Sequence, residues 1–235
     1  MAMMEKSMPA RRRPGPRKGD FELRRQARFF EIVDLAAGLF AEQGYAGTNV
    51  GDIGDAAGLG RGALYHYIGS KANLLTEIEK RFMDPLLRHI GLILEAEDVT
   101  WPVKLRLASQ SHLTIQRAML DHSRVIARES QHLPEPQRAQ FMTSMRAYEE
   151  AWSSILEGGR RAGDFSFENL SITRLGILSM HNYTMNWIRP SGSLSAQDIS
   201  RYYCQMVLDG IASGVDLAHL EDEVRMAIPR LRLDL

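Results

Sequence analysis

Apolar residues recur at steps of three and four between about Arg24 and Gln43. They are Phe29, Ile32, Val33, Ala36, Leu39 and Phe40. Because this spacing places side chains on one face of an α-helix, the pattern predicts an amphipathic helix over this stretch. Gly44 follows the periodic run and suits the left-handed residue just beyond a helix end.

Beyond Gly44 the pattern predicts two short helices and the start of a longer one. The first spans about Val50 to Ala57, with Thr48 or Asn49 as its cap. The second runs from about Arg61 to Tyr67, after a tight glycine-containing break. Ser70 is expected to cap the longer helix, which begins at Lys71.

The remainder of the chain keeps helical periodicity, and no stretch shows the period-two alternation of a strand. Breaks are predicted at 100–102, 133–136, 163–168 and 190–195. The predicted fold is therefore all-α. We divide it into a basic arm at 1–19, a helix-turn-helix unit at 20–70, a larger helical domain at 71–220 and a C-terminal tail at 221–235.

The composition is that of an ordinary globular protein, with 44% hydrophobic and 25% charged residues in 235. No apolar run is long enough for a transmembrane helix, and the N-terminus does not read as a secretory signal, so we expect a cytoplasmic protein. Cys204 is the single cysteine and so forms no internal disulfide or multi-thiolate zinc site. His112, His122 and His132 lie ten residues apart, which does not suit a shared metal, and no cofactor is predicted.

The formal net charge of zero conceals an uneven distribution. Residues 1–19 hold six basic side chains against one acidic side chain, among several prolines and glycines. We expect this arm to be disordered when it is free. It would either lie along DNA phosphates or in a minor groove, or serve only as a solubilising tail.

Two short helices joined by a glycine-containing turn and resting on a longer helix form a helix-turn-helix, whose second short helix enters the DNA major groove. On the following residues the chain closely resembles the N-terminal domain of TetR-family transcriptional regulators: Phe40–Tyr45, Thr48, Ile53, Ala57–Leu59, Gly62–Tyr67, Ser70–Lys71 and Leu74–Leu75. It departs from the family pattern at Gly51, Gly54, Gly60 and Ile68.

The resemblance implies a homodimer that binds a palindromic operator and is released by a small ligand in the C-terminal domain. It implies phosphate contacts from Thr48, Tyr65, Tyr67 and Lys71, and base contacts from Arg61, Gly62, Ala63 and His66. Arg61 is the side chain among these that can make a bidentate contact with guanine. For Tyr65 and Tyr67 the alternative is partial burial inside the three-helix unit.

The C-terminal part resembles, over Gly158–Phe165, Trp187–Pro190 and Ser195–Ile199, family members whose ligands are acyl-CoA thioesters or related lipid-degradation intermediates. The predicted effector is a small, mostly apolar molecule with one anionic end. The candidate effector-binding residues are Arg128, Trp152, Met180, Tyr183 and Trp187. The alternatives are that the apolar stripe among them is ordinary core, which is the commoner role of such a stripe, and that Arg128 lies on a solvated charged face, which is the commoner position for such a residue.

The resemblance also implies that the last two long helices, expected over about Leu170–Ile188 and Ala196–Ala212, form a four-helix bundle with a second copy. Ile172, Leu175, Leu178, Met206, Val207 and Ile211 are the candidate seam, although an intramolecular core would also explain them. The rival functions are a non-specific architectural DNA-binding protein and an all-α enzyme. The sequence contains no motif for catalysis, so we predict a regulator and not an enzyme.

Overall fold

The computed structural model describes residues 18–189, 191–211 and 216–234. The fold is helical, and these ranges contain no β-strand. Most of the predicted basic arm, residues 1–17, lies outside the described residues.

The first four helices are α1 (Lys18–Gln43), α2 (Val50–Ala57), α3 (Arg61–Ile68) and α4 (Lys71–Glu95). α1 begins six residues earlier than its apolar pattern predicted, so Lys18 and Gly19 belong to a helix and not to the arm. Ile32, Ile53, Leu64 and Leu74 contribute one fully buried side chain from each of these helices. The buried stripe that defines α1 therefore forms the centre of the N-terminal unit.

The larger part of the chain contains six further α-helices. They are α5 (Trp101–Ala118), α6 (Leu120–Glu129), α7 (Gln137–Ala162), α8 (Leu170–Tyr183), α9 (Ala196–Ile211) and α10 (Leu217–Arg230). α5 is central and packs against α4, α7, α9 and α10. Its polar side chains are consequently buried along with its apolar ones.

The predicted breaks near 100, 133, 163 and 190 all separate helices in the structure. One further break separates α5 from α6 at Met119, where the backbone leaves helical geometry at φ −123° and ψ 48°. No glycine or proline marks this position, so the sequence pattern did not reveal it. α8 also ends at Tyr183, and a 3-10 turn occupies Thr184–Asn186.

The segment 221–235 is not a tail. Most of it belongs to α10, in which Leu220, Val224 and Ala227 are buried, and Leu233 is buried beyond the helix end. The spacing of the three helical residues is i, i+4 and i+7, which forms one apolar stripe that packs on the rest of the core. Pro229 lies one residue before the end of the helix and does not prevent it from forming.

None of the described helices is long and apolar enough to cross a membrane. Among the same residues, no group of histidine, cysteine and carboxylate side chains has the arrangement of a metal site.

Candidate functional site

Helix α3 exposes one continuous face at the surface of the N-terminal unit. Leu64 and Ile68 are buried and hold the helix against its neighbours. Five of the predicted DNA-contacting residues are exposed, namely Arg61, Gly62, Ala63, Tyr65 and His66, while Tyr67 is half-buried. The guanidinium of Arg61 lies 5.9 Å from the ring centroid of Tyr65, one helical turn away. The face combines a cation, an aromatic hydroxyl and an imidazole, which are donors suited to phosphates and base edges.

Close backbone approach shapes the turn between α2 and α3. Gly58 adopts the left-handed conformation at φ 62°, where a residue without a Cβ is favoured. A Cβ on Gly54 would lie 2.9 Å from the carbonyl oxygen of Leu59. The absence of a Cβ at Gly54 thus allows the backbone of Leu59 to approach α2 closely. A Cβ on Gly51 would instead meet open space.

Thr48 and Lys71 meet beneath the start of α2. The Thr48 side chain is buried, and its hydroxyl donates to the carbonyl oxygen of Gly44 at 2.9 Å. This arrangement corrects the expectation that the Thr48 hydroxyl faces a phosphate, because that hydroxyl shapes the turn instead. The Lys71 ammonium donates to the carbonyl oxygen of Thr48 at 2.7 Å and lies 4.3 Å from the Tyr45 ring centroid. Lys71 is partly exposed and has further N–H groups beyond this bond.

The early turns of α1 lie beside α3, which the sequence pattern did not reveal. Phe21, Arg24, Arg25, His66 and Tyr67 line an open cleft of about 430 Å³. The two arginines are exposed and add positive charge next to the recognition face. The apolar periodicity begins only near Arg24, so it gives no indication that side chains of this segment lie beside the recognition face.

The candidate effector residues do not come together. Trp152 is fully buried and Met180 is half-buried, but Tyr183 and Trp187 are exposed at 67% and 44%. Arg128 is also exposed, on α6. The structure therefore places these three residues on the outer surface: Arg128 on α6, Tyr183 at the end of α8 and Trp187 just after the 3-10 turn that follows α8.

Trp152 instead belongs to a buried group that we call the polar core cluster, formed by Ser109, His112, Tyr148, Trp152 and His181. The ring centroid of His181 lies 5.4 Å from those of both His112 and Trp152. Burial lowers the pKa of His181 to about 4 and holds the pKa of His112 well below its usual range. Both imidazoles are therefore neutral near pH 7.

The sequence pattern missed four members of this cluster because they come from α5, α7 and α8, which lie far apart along the chain. Two local signals exist: Ser109 and His112 are three residues apart on α5, and Tyr148 and Trp152 are four apart on α7, so each pair shares a helix face.

α6 and the 3-10 turn after it contact the N-terminal unit at two points. His132 stacks on Tyr45, with ring centroids 5.4 Å apart and 20° between the planes. The carboxylate of Asp34 on α1 lies 3.2 Å from both His122 of α6 and Arg81 of α4. These contacts connect the larger domain directly to the turn that precedes α2 and to α1.

One outer face of the larger domain is rich in exposed apolar side chains, which we call the α8–α9 face. It carries Ile172, Leu175, Tyr183, Tyr202 and Met206, each at least half exposed. Leu178, one of the six seam candidates, is instead buried in the core. Exposed apolar surface of this kind on a globular protein marks an interaction site.

Comparison with known proteins finds two family matches in this chain. Residues 32–78 match the family described as bacterial regulatory proteins, tetR family, and residues 99–211 match the tetracyclin repressor-like C-terminal domain. The repressor KstR2 of Rhodococcus jostii is 30% identical over 78% of this chain and 90% of its own length. The chain belongs to the TetR family. TetR-family proteins are transcriptional regulators with a DNA-binding helix-turn-helix.

Solved TetR-family structures share the fold. The ketosteroid transcriptional regulator KstR2 of Mycobacterium tuberculosis has a TM-score of 0.75 and 26% identity, over 80% of this chain and 96% of that one. AibR, solved with isovaleryl coenzyme A and operator DNA, has a TM-score of 0.66 and 23% identity, over 76% and 97% of the two chains. The second likeness concerns the fold alone.

Proposed function

We propose that this protein is a homodimeric transcriptional repressor of the cytoplasm that leaves a palindromic operator when a small effector fills its larger domain. The observation that carries the proposal is the exposed face of α3, where Arg61, Tyr65 and His66 stand together on a helix anchored by Leu64 and Ile68. A single short helix contacts too few base pairs to select one site in a genome. Two copies on half-sites about one helical turn apart supply the missing contacts.

In this proposal Arg61, Gly62, Ala63 and His66 approach the base edges, while Tyr65, Tyr67 and Lys71 hold phosphates. Arg24 and Arg25 extend the phosphate contacts along the edge of the cleft beside α3. Thr48 supports the site indirectly, since its carbonyl oxygen holds the Lys71 ammonium.

The α8–α9 face is the proposed dimer interface. Met206 and Met226 are almost equally exposed, at 67% and 66%, but only Met206 belongs to this face. We expect Met206→Asp to shift the protein from dimer to monomer in analytical ultracentrifugation, because a carboxylate would be buried at the seam. Met226→Asp on α10 is the matched control and should stay dimeric. A wild-type protein that is monomeric and still binds operator tightly would contradict the mechanism.

Effector binding is proposed to act through α6. An effector changes DNA affinity only to the extent that it binds one relative arrangement of the dimer's two α3 helices more tightly than another. The His132–Tyr45 stack and the Asp34 contacts are the connections through which a movement of α6 would reach α1 and the turn before α2. The effector class follows the KstR2 likeness, so we propose an apolar ring compound or its acyl-CoA thioester.

Selection of bound fragments from genomic DNA tests the proposal. We expect recovered fragments to share one palindrome, and an excess of random duplex should not displace them. Equal displacement by random duplex would favour a non-specific architectural protein. Turnover of a thioester by the purified protein would instead favour an enzyme.

A further inference from the structure

The polar core cluster contains a buried nitrogen atom whose hydrogen-bonding capacity is not used. Its five side chains come from α5, α7 and α8 and are at most 5% exposed. The ring of His181 contacts both the His112 ring and the Trp152 ring, with a distance of 5.4 Å between ring centroids in each case. The cluster is thus a compact group of buried polar side chains in the larger domain.

His181 uses both of its ring nitrogens. Nδ1 lies 2.7 Å from the carbonyl oxygen of Ile177, and Nε2 lies 2.7 Å from the hydroxyl oxygen of Ser109. A carbonyl oxygen only accepts, so Nδ1 carries the proton and Nε2 accepts from Ser109. Nothing in the cluster requires His181 to bind a further group.

His112 is different. Nδ1 of His112 lies 3.1 Å from the Tyr148 hydroxyl, but its Nε2 is buried with no hydrogen-bond partner among the described residues. The indole of Trp152 lies beside Tyr148, with ring centroids 6.4 Å apart. Buried polar atoms are nearly always hydrogen-bonded, because a buried donor without an acceptor costs free energy. The unused Nε2 of His112 therefore points to a group that binds beside α5.

The same region has no positive charge to receive an anion. Both imidazoles are neutral, because burial lowers the pKa of each, and His181 further lowers that of His112. Of the two arginines on α5, Arg106 is fully buried and bonded to the carboxylate of Glu221 at 2.9 Å. The other, Arg117, donates to the carbonyl oxygen of Leu194 at 2.9 Å. A carboxylate inserted here would remain an unpaired buried charge.

We propose that the polar core cluster binds an uncharged oxygen of the effector, a ketone or ester carbonyl or a hydroxyl group. This inference rests on the proposed function, since it names the kind of chemical group with which the effector enters the larger domain. With the Tyr148 hydroxyl donating to Nδ1 of His112, the Nε2–H of His112 is free to donate to a carbonyl oxygen. Any anionic part of the effector, such as a coenzyme A moiety, would then lie outside the cluster.

The first experiment compares three probes with the same apolar body on the full-length protein. They are 5α-androstan-17-one, 5α-androstan-17β-ol and 5α-androstane-17β-carboxylate, each of which carries its oxygen only in the group at position 17. Binding is measured by thermal shift and by operator release. We expect the ketone and the alcohol to raise the melting temperature and to release the operator, and the carboxylate to do neither. An equal or larger effect of the carboxylate would overturn the inference.

Variants assign the effect to the cluster. The double variant His112→Leu/Tyr148→Phe removes the donor and its orienting partner together and should weaken ketone binding at least tenfold. Ser154→Ala is the matched control, two positions from Trp152 on α7, because the exposed Ser154 hydroxyl donates to the carbonyl oxygen of Glu150 within the helix. Ketone binding that is equal in the double variant and in the wild type would overturn the assignment.

A second readout needs no ligand. If His112 is present for binding, replacing both members of the His112–Tyr148 pair with apolar side chains of similar size should leave the ligand-free melting temperature unchanged or raise it. A clear fall would show that the pair is structural and would overturn the inference, even if none of the three probes binds. Operator binding by the ligand-free wild type is measured in parallel, since its absence would refute the proposed function and not this assignment.

Discussion

At the scale of single residues, alanine substitutions at two glycines of α2 are expected to change the stability of the protein in opposite directions. A Cβ at position 51 meets open space, but a Cβ at position 54 lies 2.9 Å from the carbonyl oxygen of Leu59. We expect Gly51→Ala to stabilise the protein by up to about 1 kcal/mol, because alanine favours the helix. Gly54→Ala should destabilise it, since the turn before α3 must move. Urea unfolding of both variants checks the pair, and equal effects would contradict the packing argument.

Arg61 is the residue from which we expect base discrimination. Arg61→Ala should relax the preference at one base pair in each half-site by about 1 to 3 kcal/mol, if the contact is bidentate to guanine. Tyr65→Phe removes only a hydroxyl and should weaken binding to operator and random duplex alike, because phosphate contacts carry no sequence information. Binding measured across a set of single-base operator variants separates the two effects. An Arg61→Ala protein with unaltered preference at every position would exclude Arg61 from the readout.

At the scale of elements, α10 is attached to α5 by a charged contact as well as by its apolar stripe. The guanidinium of Arg106 is fully buried, and the carboxylate of Glu221 is 26% exposed and 2.9 Å away. Glu221→Ala should cost about 3 to 5 kcal/mol of unfolding free energy, because it leaves a buried charge unpaired.

Asp222→Ala is the control for this element, since its ion pair with Arg225 is exposed on both sides. Exposed pairs contribute about 0 to 1 kcal/mol, so the control should change stability little. Chemical denaturation measures both variants, and equal losses would mean that the Arg106 contact does not anchor α10.

At the scale of the whole molecule, buried titratable groups make folding stability depend on pH. The pKa of His181 falls from 6.5 to about 4 on burial, so the unfolded chain binds the proton more tightly and stability is lost as pH falls from 6.5 toward 4. Burial raises the pKa of Glu79 from 4.5 to about 7, with Asp84 adding to the shift. The folded state then binds that proton more tightly, and this contribution is lost as pH rises from 4.5 to about 7.

The variant Glu79→Gln isolates the second contribution. Relative to the wild type, it should gain about 1.4 kcal/mol of unfolding free energy for each pH unit between pH 5 and 7. Unfolding curves across a pH series measure the difference, and a difference that stays constant with pH would contradict the burial of a protonated carboxyl at position 79.

The amino-acid sequence by itself determined the elements whose signals are local. The bounds of α2 match the prediction, and the Ser70 hydroxyl accepts from the backbone N–H of Asn73 at the start of α4 as expected. TetR-family membership is confirmed. It could be predicted for the same reason, because the motifs that carry it lie within a few residues of one another. Turn chemistry and apolar spacing act over one or two helical turns, so they can be read without knowing what each helix packs against.

Only the tertiary structure decided which way side chains face and which distant helices meet. Thr48 is buried, Tyr183 and Trp187 face outward, and the segment after residue 221 packs as α10. His112, Trp152 and His181 are tens of residues apart along the chain, and their neighbouring positions depend on the rotation and crossing of α5, α7 and α8. Periodicity gives a helix an apolar face but does not specify its partner, so the polar core cluster exists only once the helices have assembled.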